Sequence, residues 1–148
     1  TDNFDPRIAA MGGLLHNVGV LPIFSYSMQN VAYSMNPKLV VRAIEKMAPK
    51  AGVLLAKKWR FSEEIVRSIE YSRDWSYENK DGPDLVNIVL MAKYHYFLSR
   101  SRVKMIPKAR DVPSISAATC GKFDQDLSLQ ILGRARELIK RSARPTYN

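Results

Sequence analysis

Apolar positions along this chain recur at helical spacing, and the signals that open and close helices are clearer than any strand signal. Asn36-Pro37 pairs a capping residue with a first-turn proline. Val40, Ala43, Ile44 and Met47 then fall on one stripe, which predicts a helix from about 37 to 47. Pro49 is read as opening a second helix that runs to about Trp59. In it Val53, Leu54 and Leu55 form the buried side, Lys57 and Lys58 the wet side, and Trp59 belongs to the core. Ser62 caps a third, with Glu63 and Glu64 at the positive end of its dipole and Ile65, Val66 and Ile69 facing inward, fraying near Arg73.

The polar stretch from Ser76 to Asp84, with Gly82-Pro83, is a loop and not a linker between domains, because helical periodicity resumes at once with Leu85, Ile88, Val89 and Ala92. Beyond Leu98 comes a basic segment with Pro107 and Pro113, then a short helical turn from Ser114 to Thr119 stopped by Gly121. Asp124 can cap a final helix striped by Leu127, Ile131, Ala135 and Leu138. There is no internal repeat and no low-complexity tract. The fold class is all-α, a helical bundle, and residues 1–148 read as a single helical domain.

Composition fits that reading. With 46% hydrophobic residues in 148, the chain can bury one core. The longest apolar runs, Val18 to Phe24 and Val86 to Ala92, fall short of the roughly 20 residues that span a bilayer, so no membrane segment is expected. Cys120 is alone and forms no internal disulfide. With no secretory signal, the cytoplasm is the expected compartment. The acidic start, Thr1-Asp2-Asn3-Phe4-Asp5, has no initiator Met, which reads as a chain that began upstream.

Charge is unevenly placed. Residues 1–98 hold 12 Lys or Arg against 10 Asp or Glu, whereas residues 99–148 hold 11 against 4. Arg100, Arg102, Lys104, Lys108 and Arg110 lie close together with no acid among them. Such a segment can attract nucleic acid or an acidic partner, or it can be a solvated basic face. No nucleic-acid module signature accompanies it, and Tyr94, Tyr96 and Phe97 are read as core aromatics.

The candidate chemistry centres on Gly13-Leu14-Leu15-His16-Asn17-Val18-Gly19, where one imidazole sits among apolar residues and is followed by an amide. An Asp after the histidine would offer an anionic oxygen to a divalent cation. Asn17 offers only a neutral one. With no carboxylate near in sequence to orient it, His16 reads as a satisfied histidine and not as a catalytic base. His95 is expected to be partly exposed beside Lys93, Cys120 to be inert, Gly12-Gly13 to mark close helix packing, and the six methionines to fill core space.

Gly13 to Gly19 with Leu21-Pro22, Ala51-Gly52-Val53-Leu54-Leu55 leading to Trp59, and Phe61-Ser62-Glu63-Glu64-Ile65-Val66 with Ile69 together resemble the HDOD family of bacterial signalling domains, relatives of the HD phosphohydrolases. The similarity runs from residue 4 to about 139 and covers the C-terminal two thirds of such a domain, so the N-terminal helices are expected to lie upstream. The resemblance implies an HD-domain-like bundle. It also implies a ligand set that can be checked. Only His16 is kept. Asn17 replaces the motif Asp, Ala48 or Pro49 falls where relatives often carry His, Tyr71-Ser72 where they place paired histidines, and Lys93 where the last Asp ligand lies.

The resulting expectation is a non-catalytic signalling or regulatory module with no metal and no cofactor. Its degenerate cleft of His16, Asn17 and Lys93, or another surface, would bind a protein partner or a small anionic ligand and pass that state to an attached signalling domain. Two alternatives remain open: a metal-dependent phosphohydrolase using upstream ligands, and a nucleic-acid adaptor acting through the basic C-terminal third.

Overall fold

The computed structural model describes residues 5–99 and 106–118, together with Gln130, Gly133, Arg134 and Glu137. Every regular element among them is helical: α1 Pro6–Leu15, α2 Val20–Gln29, α3 Val31–Ser34, α4 Pro37–Lys58, α5 Glu63–Glu70, α6 Leu85–Ser99, a 3-10 turn at Ala109–Asp111, and α7 Pro113–Ala118. The all-α, HD-like bundle expected from the sequence is what forms. Helix α5 is central, packed by α1, α4 and α6, while α7 closes on α6 and α2 rests on α4 with the short α3 beside it.

Local signals place most of the helix starts. Asp5 accepts the Arg7 amide at 2.8 Å, Asn30 accepts that of Ala32 at 3.1 Å, and Asn36 accepts that of Leu39 at 3.3 Å, so three side chains satisfy amides that helix geometry leaves open. At α6 the cap is reciprocal. Asp84 accepts the Asn87 amide at 3.2 Å while the Asn87 side chain accepts the Asp84 amide at 3.0 Å. The same Asp84 accepts from the Tyr77 hydroxyl at 2.6 Å, and Arg67 donates to that hydroxyl at 2.6 Å, which fixes the 71–84 loop to α5. Asn87 also donates to Ser114 at 2.8 Å across a buried contact, tying α7 to α6.

Three sequence expectations are corrected. Helix α4 is one element through Pro49 and does not break in two. An interior proline forfeits a backbone bond and costs about 3 kcal/mol, but both halves are held by the same neighbours. Ala48 and Gly52 press on the backbone at Gly19, where an added Cβ would run into the Ala48 carbonyl, and a Cβ on Gly52 would meet Ile69 at 2.6 Å. This close approach needs two glycines.

The second correction is Trp59, which is 52% exposed and makes an edge contact with Phe61, while Leu54 is 71% exposed. The buried line of α4 is Ala48, Gly52 and Ala56, because small residues let α2 and α5 come close. Trp59 is the C-cap, and the chain then turns through Arg60 at φ 58°. Phe61 and Arg60 donate their amides to Ala56 and Lys57, both at 3.0 Å. That pair of bonds is a Schellman ending, built here on a non-glycine residue. It turns Phe61, and not Trp59, onto the core with Ala56, Ile65, Val66, Ile69, Leu85 and Val89.

The third correction concerns apolar length. Helices α1 and α2 follow each other with one turn between, so Pro6–Gln29, 24 residues of mean hydropathy 1.5, is by length and composition enough to cross a bilayer. The turn at 16–19 breaks the run, and Gly19 seats α2 on α4. Helix α6 begins where periodicity resumes and buries Leu85, Val86, Asn87, Val89, Leu90, Tyr94 and Leu98, with Ile88 half-buried and Ala92 exposed, because α1 and α5 cover one side and α7 another. The expected final helix after Asp124, and Gly121 and Cys120, lie outside the described residues, although Gln130, Gly133, Arg134 and Glu137 are helical and exposed.

Candidate functional site

His16 follows the last residue of α1 and donates its backbone amide to Gly12 at 3.0 Å. Both ring nitrogens are engaged. Nδ1 lies 2.7 Å from the Gly13 carbonyl, which can only accept, so Nδ1 carries the proton. Nε2 lies 2.8 Å from the Asn17 amide nitrogen and accepts from it. The neutral tautomer is therefore fixed from both sides. Burial pushes the imidazole below its usual pKa, and the positive charges of Lys93 and Arg73 push the same way, against the Gly13 bond, which raises it. Gly12 permits this arrangement, since a Cβ there would touch Leu85 at 3.0 Å.

Lys93 comes from the middle of α6 and is half-buried. Its ammonium donates to the Ser72 carbonyl at 2.6 Å and lies 5.1 Å from the centre of the Trp75 ring, a cation-π contact. It does not bond to the Asn17 oxygen, because Asn17 is turned to His16 and the end of α5 offers a nearer carbonyl. Burial, with the Arg73 charge added, lowers its pKa to about 8. Arg73 in turn donates to the Ile44 carbonyl on α4 at 3.3 Å.

The ends of α1 and α5, the middle of α6 and the flank of α4 thus converge on a small basic cluster. The sequence reading named His16, Asn17 and Lys93 in it but missed Arg73, which it treated only as the fraying end of a helix. Nothing in a one-dimensional pattern says that Arg73 reaches across to Ile44.

Of the expected basic surface, Lys108 is exposed and Arg110 lies 3.7 Å from Asp111. Arg100, Arg102 and Lys104 lie outside the described residues. His95 is half-buried, and burial lowers its pKa.

The family resemblance implies a metal here in catalytic relatives, and the side chains present do not fit one. Among the described residues no three His, Cys, Asp or Glu side chains come together in a way that could hold a cation. The one imidazole has Nε2 tied to an amide, and its charged neighbours are an ammonium and a guanidinium, which repel a cation.

A helical bundle that brings His16, Asn17, Lys93 and Arg73 together is consistent with an HD-related signalling domain. The HDOD domain family model matches residues 2–75, half of the chain, and the chain belongs to that family. The match carries all the motifs from Gly13 to Ile69 but ends well before residue 139, so the resemblance extends less far along the chain than the sequence reading held. No curated protein and no solved structure gives a significant match.

Proposed function

We propose that this HD-related domain is a non-catalytic regulatory module that acts by binding a protein partner. The observation that carries the reading is the side-chain cluster itself: a neutral imidazole with both nitrogens hydrogen-bonded and with the positive charges of Lys93 and Arg73 near it. Such a site has no anionic group to bind a cation and no free imidazole nitrogen to activate water. Binding is supported by the outer side of α1 to α4, where Leu14, Leu21, Phe24, Tyr26, Met28, Val31, Met35 and Met47 are all more than half exposed. An apolar area of that extent marks an interaction surface.

The test is elemental analysis of the purified protein together with phosphomonoesterase and cyclic-dinucleotide hydrolysis assays. The expected result is no stoichiometric transition metal and no turnover. One or two equivalents of Fe, Mn or Zn, lost with an activity on His16→Ala, would restore the metal-dependent phosphohydrolase. A second ligand class has its own support. The joined positive charge of Lys93 and Arg73 beside His16 suits a small anion, and a thermal shift with inorganic phosphate that disappears in Arg73→Gln would show it. The nucleic-acid adaptor is tested by steeply salt-dependent binding to duplex DNA or RNA, lost on Lys108→Glu.

A further inference from the structure

From Ile8 to Pro37 the sequence contains no Asp, Glu, Lys or Arg. Charge returns abruptly on α4 as Lys38, Arg42, Lys46 and Lys50, four exposed cations at four-residue spacing and hence a ridge along one helix, with Glu45 as the only acid in α4. Beside that ridge, α2, α3 and α4 enclose a trough of about 410 Å3 walled by Ile23, Tyr26, Tyr33, Ala43 and Met47. Farther along α4 a second recess of about 500 Å3 is lined by Lys46, Lys50, Val53 and Leu54, with Glu70 at its far wall. Helix α2 packs on α3 and α4 alone among the described elements, and Leu21, Phe24, Tyr26 and Met28 on it are more than half exposed.

We propose that this trough is the docking site for an amphipathic helix of a partner protein, apolar on the face that enters between α2 and α4 and acidic along the edge that meets Lys38, Arg42, Lys46 and Lys50. The inference rests on the binding-module reading and names the chemistry of its partner. Shape and charge select the occupant. An apolar trough between α2 and α4, bordered by α3, can take the apolar anchors of a third helix recurring at i, i+3, i+4 and i+7, and a one-sign ridge beside it selects the opposite sign.

Other occupants fit less well. A second copy docked by the same face would set one basic ridge against its twin. The chain's own C-terminal stretch carries Arg134, Arg136, Lys140, Arg141 and Arg144 and shares the sign of the ridge. A membrane surface would lie across the trough without filling it.

The test uses the whole chain and two fluorescent peptides of roughly 16 residues with the same Leu anchors, one flanked by Glu and the other by Lys. Anisotropy titration should show the Glu peptide binding at least about tenfold tighter at low salt, with the gap narrowing as salt rises. Lys46→Glu with Lys50→Glu should reverse the preference. Met47→Asp, an exposed change whose folding is checked by circular dichroism, should abolish binding of both peptides. Equal affinity for the two peptides, or an acidic-peptide affinity indifferent to the charge reversal, overturns the proposal.

So does concentration-dependent dimerisation lost on Met47→Asp, which would make a second copy the occupant. Binding to phosphatidylserine vesicles that is lost on the same change and excludes the Glu peptide would make it a membrane. Metal content and turnover are measured separately, so a failed trough leaves the non-catalytic reading standing, and a catalytic result leaves the trough standing.

Discussion

Replacing Lys93 by Met should make the stability of this domain respond less to alkaline pH, and the size of the change follows from where the ammonium sits. In the fold its pKa is about 8, against 10.5 in a free chain, with burial the main cause. Below pH 8 the group is protonated in both states, and the fold bears the cost of a poorly solvated charge. Between pH 8 and 10.5 the unfolded chain holds a proton that the folded chain has released, so stability rises with pH across that window.

At about 1.4 kcal/mol per unit the full shift would amount to roughly 3 kcal/mol. Partial solvent access to Lys93 reduces this to about 1–2 kcal/mol. At pH 7 the Met variant loses the 2.6 Å bond and leaves the Ser72 carbonyl unpaired, a loss of about 1–3 kcal/mol, partly offset by removing the buried charge. A net deficit of about 1 kcal/mol is expected, widening as pH rises. Urea melts of both proteins at pH 7, 8, 9 and 10 measure it, and tyrosines titrating in both cancel in the difference. Two parallel stability curves would refute the reasoning and place Lys93 in water.

Gly19→Ala should be among the most damaging single changes, at about 3 kcal/mol or more, because the new methyl meets the Ala48 backbone and α2 must lift off α4; a thermal melt within a few degrees of wild type would contradict the crossing. Trp59→Ala should cost less than about 1 kcal/mol by urea melt, since the ring is 52% exposed. Arg60→Gly should be neutral or slightly stabilising, as glycine accepts φ 58° without strain, and a clear loss in the same melt would show that the Arg60 side chain matters. His16, whose pKa is lowered in the fold, contributes stability above its unfolded value of 6.5 that is lost on acidification. His16→Gln should therefore flatten the decline between pH 6.5 and 5, with the residual slope removed by a second change at His95, and chemical melts across that range would show an unchanged slope if the imidazole were free to protonate.

Much of this architecture was legible in one dimension. The cap at Asn36, the turn-rich break before Leu85 and the inward stripe of Ile65, Val66 and Ile69 are local: each depends on a few neighbouring residues and on helical periodicity. The family was legible for a related reason, since its motifs from Gly13 to Ile69 are short and keep their order. What sequence alone misjudged was decided by which helix lies against which. Pro49 normally opens a helix, yet packing of Ala48, Gly52 and Ala56 on Gly19 and Ile69 carries α4 straight through it. Large residues such as Trp59 and Leu54 normally mark a core, yet close helix contact excludes them in favour of glycine and alanine. Lys93 normally seeks solvent, yet the end of α5 offers it a carbonyl. A sequence encodes spacing along one helix, whereas the distance between two helices is set by the smallest residues they share, and that quantity exists only once the chain has folded.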